Sequence, residues 1–423
     1  MLTTPEWIEE SAQMSRLEKA LPEWLARVPL YQGHSNSLST GALPTDPLTL
    51  LHRFPFITKA DLRRDFPRNF LGPNADLDDI IDRNLIEIEH TSGTSSPRTP
   101  LLLARGWWDA QEQKALRQNH FIARILDEFP NARRVTLNSP ICSGDLCYSS
   151  VPSHSERIVN QTLFVSLSRF PFLWTDADWQ RIADETRDWQ PVFLDLDPVY
   201  GALFAQYCER HNVRLPSLRF IICSYEFVST AHRRILERVF GVPVFNLYGS
   251  TETGHLLMEN ERGEMVPSLE TAFLEVVEPD TTGIGHLIVT TLTNDYMPLV
   301  RYRIGDLVQR RESPYRTHYA VHGREHDAFK LADGSRATTL QVDECFAGLN
   351  GFTHYQLLQQ EGGSWRLHFV ADGAGPSEGE LAELQQRLAH TLKLKATDSL
   401  KIEAKEMLLP EASGKFLLGY PLR

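Results

Sequence analysis

The sequence predicts an α/β fold: a large N-terminal domain of layered sheets and helices with a small antiparallel subdomain, followed by a small C-terminal α+β domain. Three observations predict it. From about residue 82 onward, strand-like runs alternate with helical ones, the pattern of layered α/β architecture. Residues 273–310 read instead as strand after strand, with turns at Pro279-Asp280 and Gly283. After Gly323-Arg324 the composition shifts to a short module of strands with one clear helix, 379–394. At 423 residues the chain exceeds what one compact core usually absorbs, so a boundary near 323–326 divides it into 1–323 and 324–423.

The elements follow in order. Trp7, Ile8, Met14, Leu17 and Leu21 recur at helical spacing and open the chain with an amphipathic helix, after which the polar residues 32–46 read as a surface loop. Strands are predicted at 134–137, 218–223, 242–247, 273–277 and 287–292, and helices at 107–127, 178–189, 199–212 and 230–240. No fixed-period repeat or low-complexity tract interrupts them.

Composition narrows the function classes. Lys and Arg total 43 against 55 Asp and Glu, a net charge of -12, so nothing draws the whole surface to phosphodiester backbones or anionic lipid, and neither nucleic acid nor membrane is an expected partner. No basic leader and no apolar run near the roughly 20 residues that span a bilayer is present, and the expectation is a soluble cytoplasmic protein. Five cysteines in this length make no disulfide framework. Cys142 and Cys147, beside Asp145, have a metal-like spacing, but no second pair completes a zinc set, and loop or buried thiols are the expectation.

Five segments carry chemistry. Thr91-Ser92-Gly93-Thr94-Ser95-Ser96-Pro97-Arg98 clusters hydroxyls around a glycine, where backbone amides and Oγ atoms can wrap phosphate oxygens; a Ser/Thr-rich turn looks the same. It is not a P-loop, because no Gly-Lys-Ser/Thr follows at the required spacing. Tyr248-Gly249-Ser250-Thr251-Glu252 closes a strand with a ring that can stack a purine and a carboxylate that can hold Mg²⁺, or is simply a strand and loop with a satisfied tyrosine. Asp306, after Gly305, is suited to accept two ribose hydroxyls, or sits in a hairpin with surface charges. Gly323-Arg324-Glu325-His326 is the fourth segment, and Ser413-Gly414-Lys415 the fifth, where a long cation stands in a glycine-containing loop or in a solvated tail.

In this order and spacing the five segments resemble the signature set of the acyl-adenylate-forming superfamily, and Met297-Pro298-Leu299-Val300-Arg301-Tyr302-Arg303-Ile304-Gly305-Asp306 looks most like its phenylacetate-CoA ligase branch. The resemblance covers about residues 85–423. It implies a phosphate loop at Thr91, Ser92, Gly93, Thr94 and Ser95. Tyr248 would pack on adenine, with Gly249 and Ser250 in the same loop, and Thr251 and Glu252 would serve phosphate and Mg²⁺. Asp306 and Arg324 would hold ribose, and Ser224, Tyr225 and Glu226 would line the adenine and acyl pockets. Lys415 would bridge the carboxylate and the α-phosphate. It further implies a mobile C-terminal domain that turns about His326. Ser96 stands where the family usually has a second glycine, and Pro97-Arg98 where it has a lysine and proline, which alters the loop's access to positive φ.

The implied activity is ATP-dependent conversion of a carboxylic acid to acyl-AMP, then transfer to CoA, with an amine or a carrier-protein arm as the alternative acceptors. The acyl pocket is read onto residues between Leu137 and Tyr148, onto Phe193 to Asp197, and onto His255, and the aromatics between 164 and 174 favour an aryl or arylacetic acid. A catalytically silent nucleotide-binding partner protein is the other reading, supported by the altered phosphate loop and opposed by the joint presence of Lys415, Glu252 and Asp306.

Overall fold

The computed structural model describes residues 6–32, 44–72, 75–91, 98–138, 152–167, 171–314, 316–411 and 414–422. They form a mixed α/β fold. Two compact units alternate along the chain, one made of 1–120 with 247–320 and the other of 121–246 with 321–423.

In the first unit, antiparallel strands Ala272–Val277, Ile284–Thr291 and Tyr302–Glu312 pair in sequence, and Met265–Pro267 joins Gly254–Glu259, which pairs with the second half of Val244–Ser250. The turn at Pro279-Asp280 and Gly283 forms as the sequence predicts, with Gly283 at φ +85° donating its N–H to Asp280. The opening helix, Glu6–Arg27, buries Leu17, Leu21 and Trp24, and Gln13 Nε2 donates to the Ala272 carbonyl at 2.7 Å. Tyr31, fully buried, donates its phenol to Pro298 O (2.8 Å) and accepts from Val300 N (2.9 Å), which ties the end of this segment to the stretch before Asp306.

The predicted helix 107–127 is two helices, Trp107–Leu116 and His120–Glu128. The first helix closes in a tight turn, with Gln118 N donating to Ala115 O (3.0 Å) and Asn119 N to Leu116 O (3.2 Å), and the fully buried Asn119 sends its amide to Glu259 O at 2.9 Å. A strand pair absent from the sequence reading, Ile86–His90 with Pro100–Ala104, brackets residues 91–99.

The second unit contains a parallel sheet in which Arg134–Leu137 lies between Thr162–Phe164 and Phe193–Leu196, followed by Phe220–Cys223 and the start of Val244–Ser250. Phe193–Leu196 and Phe220–Cys223 are buried at every position, as strands covered on both faces are. The helices Asp176–Trp189, Pro198–His211 and Thr230–Phe240 fall close to their predicted bounds because each has a side-chain cap readable in sequence: Thr175, Asp197 before Pro198, and Ser229. In the same unit a four-stranded sheet runs Ser399–Lys405, Ser364–Ala371, Phe352–Gln360, Gly419–Tyr420, with the helix Glu378–Thr391 against it. Residues 321–423 share this compact unit because polar bonds tie them to the preceding helices: Thr230 N and Oγ1 donate to Asp343 (2.9 and 2.7 Å), and Arg238 pairs with Asp372 at 2.6 Å.

Candidate functional site

Within the first unit, the residues read as serving nucleotide and metal converge. Gly249 has no substitute where it stands, since a Cβ would lie 2.3 Å from the Gly254 carbonyl oxygen across the paired strand. That close approach turns the chain through Ser250 and Thr253, whose hydroxyls lie 3.0 Å apart, and leaves Thr251 half-buried beside a buried Glu252. Glu252 Oε1 lies 2.9 Å from Lys59 Nζ and accepts from Tyr302 OH at 3.1 Å. Burial pushes the Glu252 carboxyl up, but the Lys59 ammonium and the hydrogen bonds more than reverse this and hold it below its ordinary value. An ionised, buried carboxylate is a donor that Mg²⁺ accepts, so the residues present fit that cation.

Tyr248 OH donates to Asp306 Oδ2 at 2.5 Å, joining two residues that the sequence reading kept separate. Asp306 is buried and follows Gly305 at φ +92°. Thr91 is buried at the base of its loop, where its backbone N–H donates to Thr99 O and its hydroxyl accepts from Thr99 N, both at 3.0 Å. Ser92, Gly93, Thr94 and Ser95 lie outside the described residues, as do Ser96, Tyr148, Cys142, Cys147 and Ser413. His255 is buried with its ring 4.9 Å from that of Trp108.

The second unit brings its residues to the carboxyl ends of the parallel strands, where open α/β sheets place ligands. Ser224, Tyr225 and Glu226 follow Phe220–Cys223, and Asp197 follows Phe193–Leu196. Ser224 Oγ and Tyr225 OH both donate to Asp195, at 2.7 and 2.9 Å. Tyr225 holds φ +74°, a conformation costly for a bulky residue, of order 1–3 kcal/mol, and found where the surroundings over-determine it. Glu226 accepts from Phe416 N on both carboxylate oxygens, at 2.8 and 3.0 Å, which places the strand end against the Lys415 loop.

Lys415 has favourable charge interactions with Asp197 and Glu226. Burial pushes the Asp197 carboxyl up to about 7, against the Tyr200 and Val199 N–H donors and the lysine. Burial and the neighbouring Asp197 push Glu226 well above the carboxylate range. Arg324 ends the Thr317–Arg324 strand after Gly323, at φ +94°, and His326 is exposed in the short turn Glu325–Asp327. Phe193 is not brought to this cluster. It shares a strand face with Asp195 but stands at the amino end, and its ring stacks on Phe220 at 4.9 Å.

Sequence reasoning missed Lys59, Tyr302's bond to Glu252, and Tyr200; Asp195 and Asp197 fall within the stretch 193–197 read as acyl pocket, and the structure sets them beside Ser224, Tyr225 and Lys415. Asp197 had a signal, since Asp-Pro at a strand end is a helix start. Lys59 had none, because its capping box with Thr58 and Asp61 describes only its own helix. Among the described residues no group of three or more His, Cys, Asp or Glu is arranged to hold a metal ion, and no helix is long and apolar enough to cross a membrane.

No protein-family model matches the chain. It is 24% identical over 441 residues to the phenylacetate-coenzyme A ligase of Escherichia coli (strain K12), covering 98% of this chain and 95% of that one. Among solved structures, 2-hydroxyisobutyryl-CoA ligase in its postadenylation state superposes with a TM-score of 0.72 at 16% identity, over 97% of this chain and 89% of the other. The same ligase in its thioesterification state gives 0.56 at 16% identity, over 99% and 91%.

Proposed function

We propose that this chain, a member of the acyl-adenylate-forming superfamily on its phenylacetate-CoA ligase-like branch, joins a carboxylic acid to AMP at the expense of ATP and passes the acyl group to CoA. The observation that carries the reading is similarity along nearly the whole of both chains to a phenylacetate-CoA ligase. Glu252, Asp306 and Lys415 accord with it, being the carboxylates and the cation that the resemblance assigns to this chemistry.

A carboxylate is a poor acyl donor because oxide would have to leave; with AMP attached, a stable phosphate monoester leaves instead. In the first half-reaction the acid's oxygen attacks the α-phosphorus and the bond to pyrophosphate breaks. Tyr248, its phenol held by Asp306, presents its ring to adenine, while the lone pairs left on Asp306 accept ribose hydroxyls. Arg324 is proposed to serve the ribose, and Ser224, Tyr225 and Glu226 to line the adenine and acyl pockets. Thr91 anchors the loop proposed to face the departing phosphates. Lys415 meets the negative charge that grows on the α-phosphoryl oxygens, the kind of preorganised charge whose removal typically costs about 10²- to 10³-fold in rate. Glu252 and Thr251 would hold magnesium, which when bound neutralises phosphate charge. In the second half-reaction the CoA sulfur attacks the acyl carbon, its proton passes to solvent, and AMP leaves.

The acid is proposed to be aryl or arylacetic, with His255 and Trp108 as an aromatic element of the acyl pocket. Residues 324–423 are proposed to move as a body about His326 between the half-reactions. The test is pyrophosphate release from ATP over a panel of aryl, arylacetic and fatty acids, repeated with CoA and with amines. Release with an arylacetic acid and thioester formation with CoA are expected; no release with any acid would remove the reading.

A further inference from the structure

We propose that Tyr200 and Glu226 form a latch that fixes the backbone on both sides of Lys415 for acyl-adenylate formation and must open before the acyl group is transferred. The proposal rests on the reading that Lys415 acts in the first half-reaction. Tyr200 OH donates to the Gly414 carbonyl at 3.1 Å, and Glu226 accepts from the Phe416 N–H at 2.8 and 3.0 Å. One clamp therefore grips the residue before the lysine and the other the residue after it.

Both clamps are themselves held. Tyr200 is fully buried in the first turn of Pro198–His211, and its own N–H and that of Val199 are capped by Asp197 at 3.2 and 2.9 Å. Glu226 follows the buried strand Phe220–Cys223. On the lysine side, Gly414 takes φ +86° and donates to Glu411 O, while Glu411 N donates to Lys415 O, both at 2.8 Å. These two bonds tie Gly414 and Lys415 to Glu411. Phe416 then buries its ring against His354 (4.9 Å) and Phe172 (6.1 Å).

A lysine side chain has many rotamers, so the direction in which its ammonium is presented depends on how firmly its two flanking peptides are held. A misplacement of about 1 Å at a reacting centre can cost about 10²-fold in rate. Parting the clamps gives up these bonds, and the buried Tyr200 phenol meets water only once the Lys415 loop has left it. Neither clamp touches the reacting atoms in this proposal; both are positioning residues.

The test uses the full-length protein and Tyr200→Phe, which keeps the ring in the core and deletes only the phenol oxygen. Two readouts are taken. In single turnovers, pyrophosphate release is expected to fall about tenfold, the size of one lost buried hydrogen bond, while CoA transfer from supplied acyl-AMP stays within about twofold by the same scale. Without any substrate, amide exchange at Phe416 and tryptic cleavage after Lys415 are expected to accelerate in Tyr200→Phe and in Glu226→Ala, and less in Glu226→Gln, which keeps one acceptor. Equal loss of both half-reactions with unchanged exchange at Phe416 would overturn the latch. If the wild type forms no acyl-AMP from any acid and the variants still loosen Phe416, the clamp contacts stand and the activity assignment falls instead.

Discussion

Lys415 is proposed to act as a single charge on the α-phosphoryl oxygens, so its removal should act on the transition state and not on nucleotide affinity. Lys415→Ala is expected to lower acyl-AMP formation by about 10²- to 10³-fold with ATP binding almost unchanged, measured by pyrophosphate release beside equilibrium binding; adenylation within threefold of wild type, less than about 1 kcal/mol of barrier, would dismiss the role. Asp306 predicts the opposite pattern. It bonds the Tyr248 phenol, so Asp306→Ala removes the proposed ribose acceptor and unpins the proposed adenine-facing ring together. A raised KM for ATP with a smaller change in kcat is expected. Glu252→Gln removes the charge that Lys59 and Tyr302 surround, and Mg²⁺-dependent turnover should be lost with it. Unaltered kinetics in both Asp306→Ala and Glu252→Gln would put the nucleotide elsewhere.

At the scale of elements, the Val244–Ser250 strand and its antiparallel neighbour meet too closely at Gly249 for any side chain. Gly249→Ala must push backbone away from backbone, with the Cβ 2.3 Å from the Gly254 carbonyl, and a loss of about 1–3 kcal/mol of stability is expected. A lowered urea midpoint with an unchanged slope would report it; a wild-type midpoint would mean the strands separate without cost. The turn Glu325–Asp327 is the element proposed to carry domain motion. His326→Pro fixes φ near -65° and is expected to preserve first-turnover pyrophosphate release while abolishing transfer to CoA. Equal effects on the two half-reactions would make His326 an ordinary surface residue.

Across the second unit, folding buries titratable groups whose demands oppose one another. His232 and His354 are fully buried, with ring centroids 6.4 Å apart, and burial pushes each imidazole down from 6.5 to about 3. Between those values the unfolded chain binds protons that the folded one refuses. Their contribution is therefore complete above about pH 6.5 and is lost as pH falls toward about 3, at up to about 1.4 kcal/mol per pH unit for each histidine. Asp197 and Asp343, raised by burial to about 7 and about 6, act in the reverse sense: their contribution is present at low pH and is lost as pH rises through those values. Subtraction separates the two. The stability of wild type relative to His232→Leu should fall as pH drops from 7 to 4.5, followed by urea unfolding at each pH, and a difference independent of pH would show that His232 titrates alike in the folded and unfolded chains.

Much of the local structure was legible in the sequence, because caps and hydrophobic periodicity are properties of neighbouring residues. Asp197-Pro198, Ser229 and the box of Ser377 with Glu380 each begin a helix where their own side chains satisfy its first amides. The order of the chemical segments was legible for the same reason, since each loop carries its donors within a few residues. The bond from Asn119 to Glu259 was not, and neither were Lys59 on Glu252, Tyr248 on Asp306, or Tyr200 and Glu226 on either side of Lys415. Those pairings join positions far apart in the chain. Nothing in either local pattern encodes its partner, and only the packing of whole elements brings the two side chains within hydrogen-bond reach.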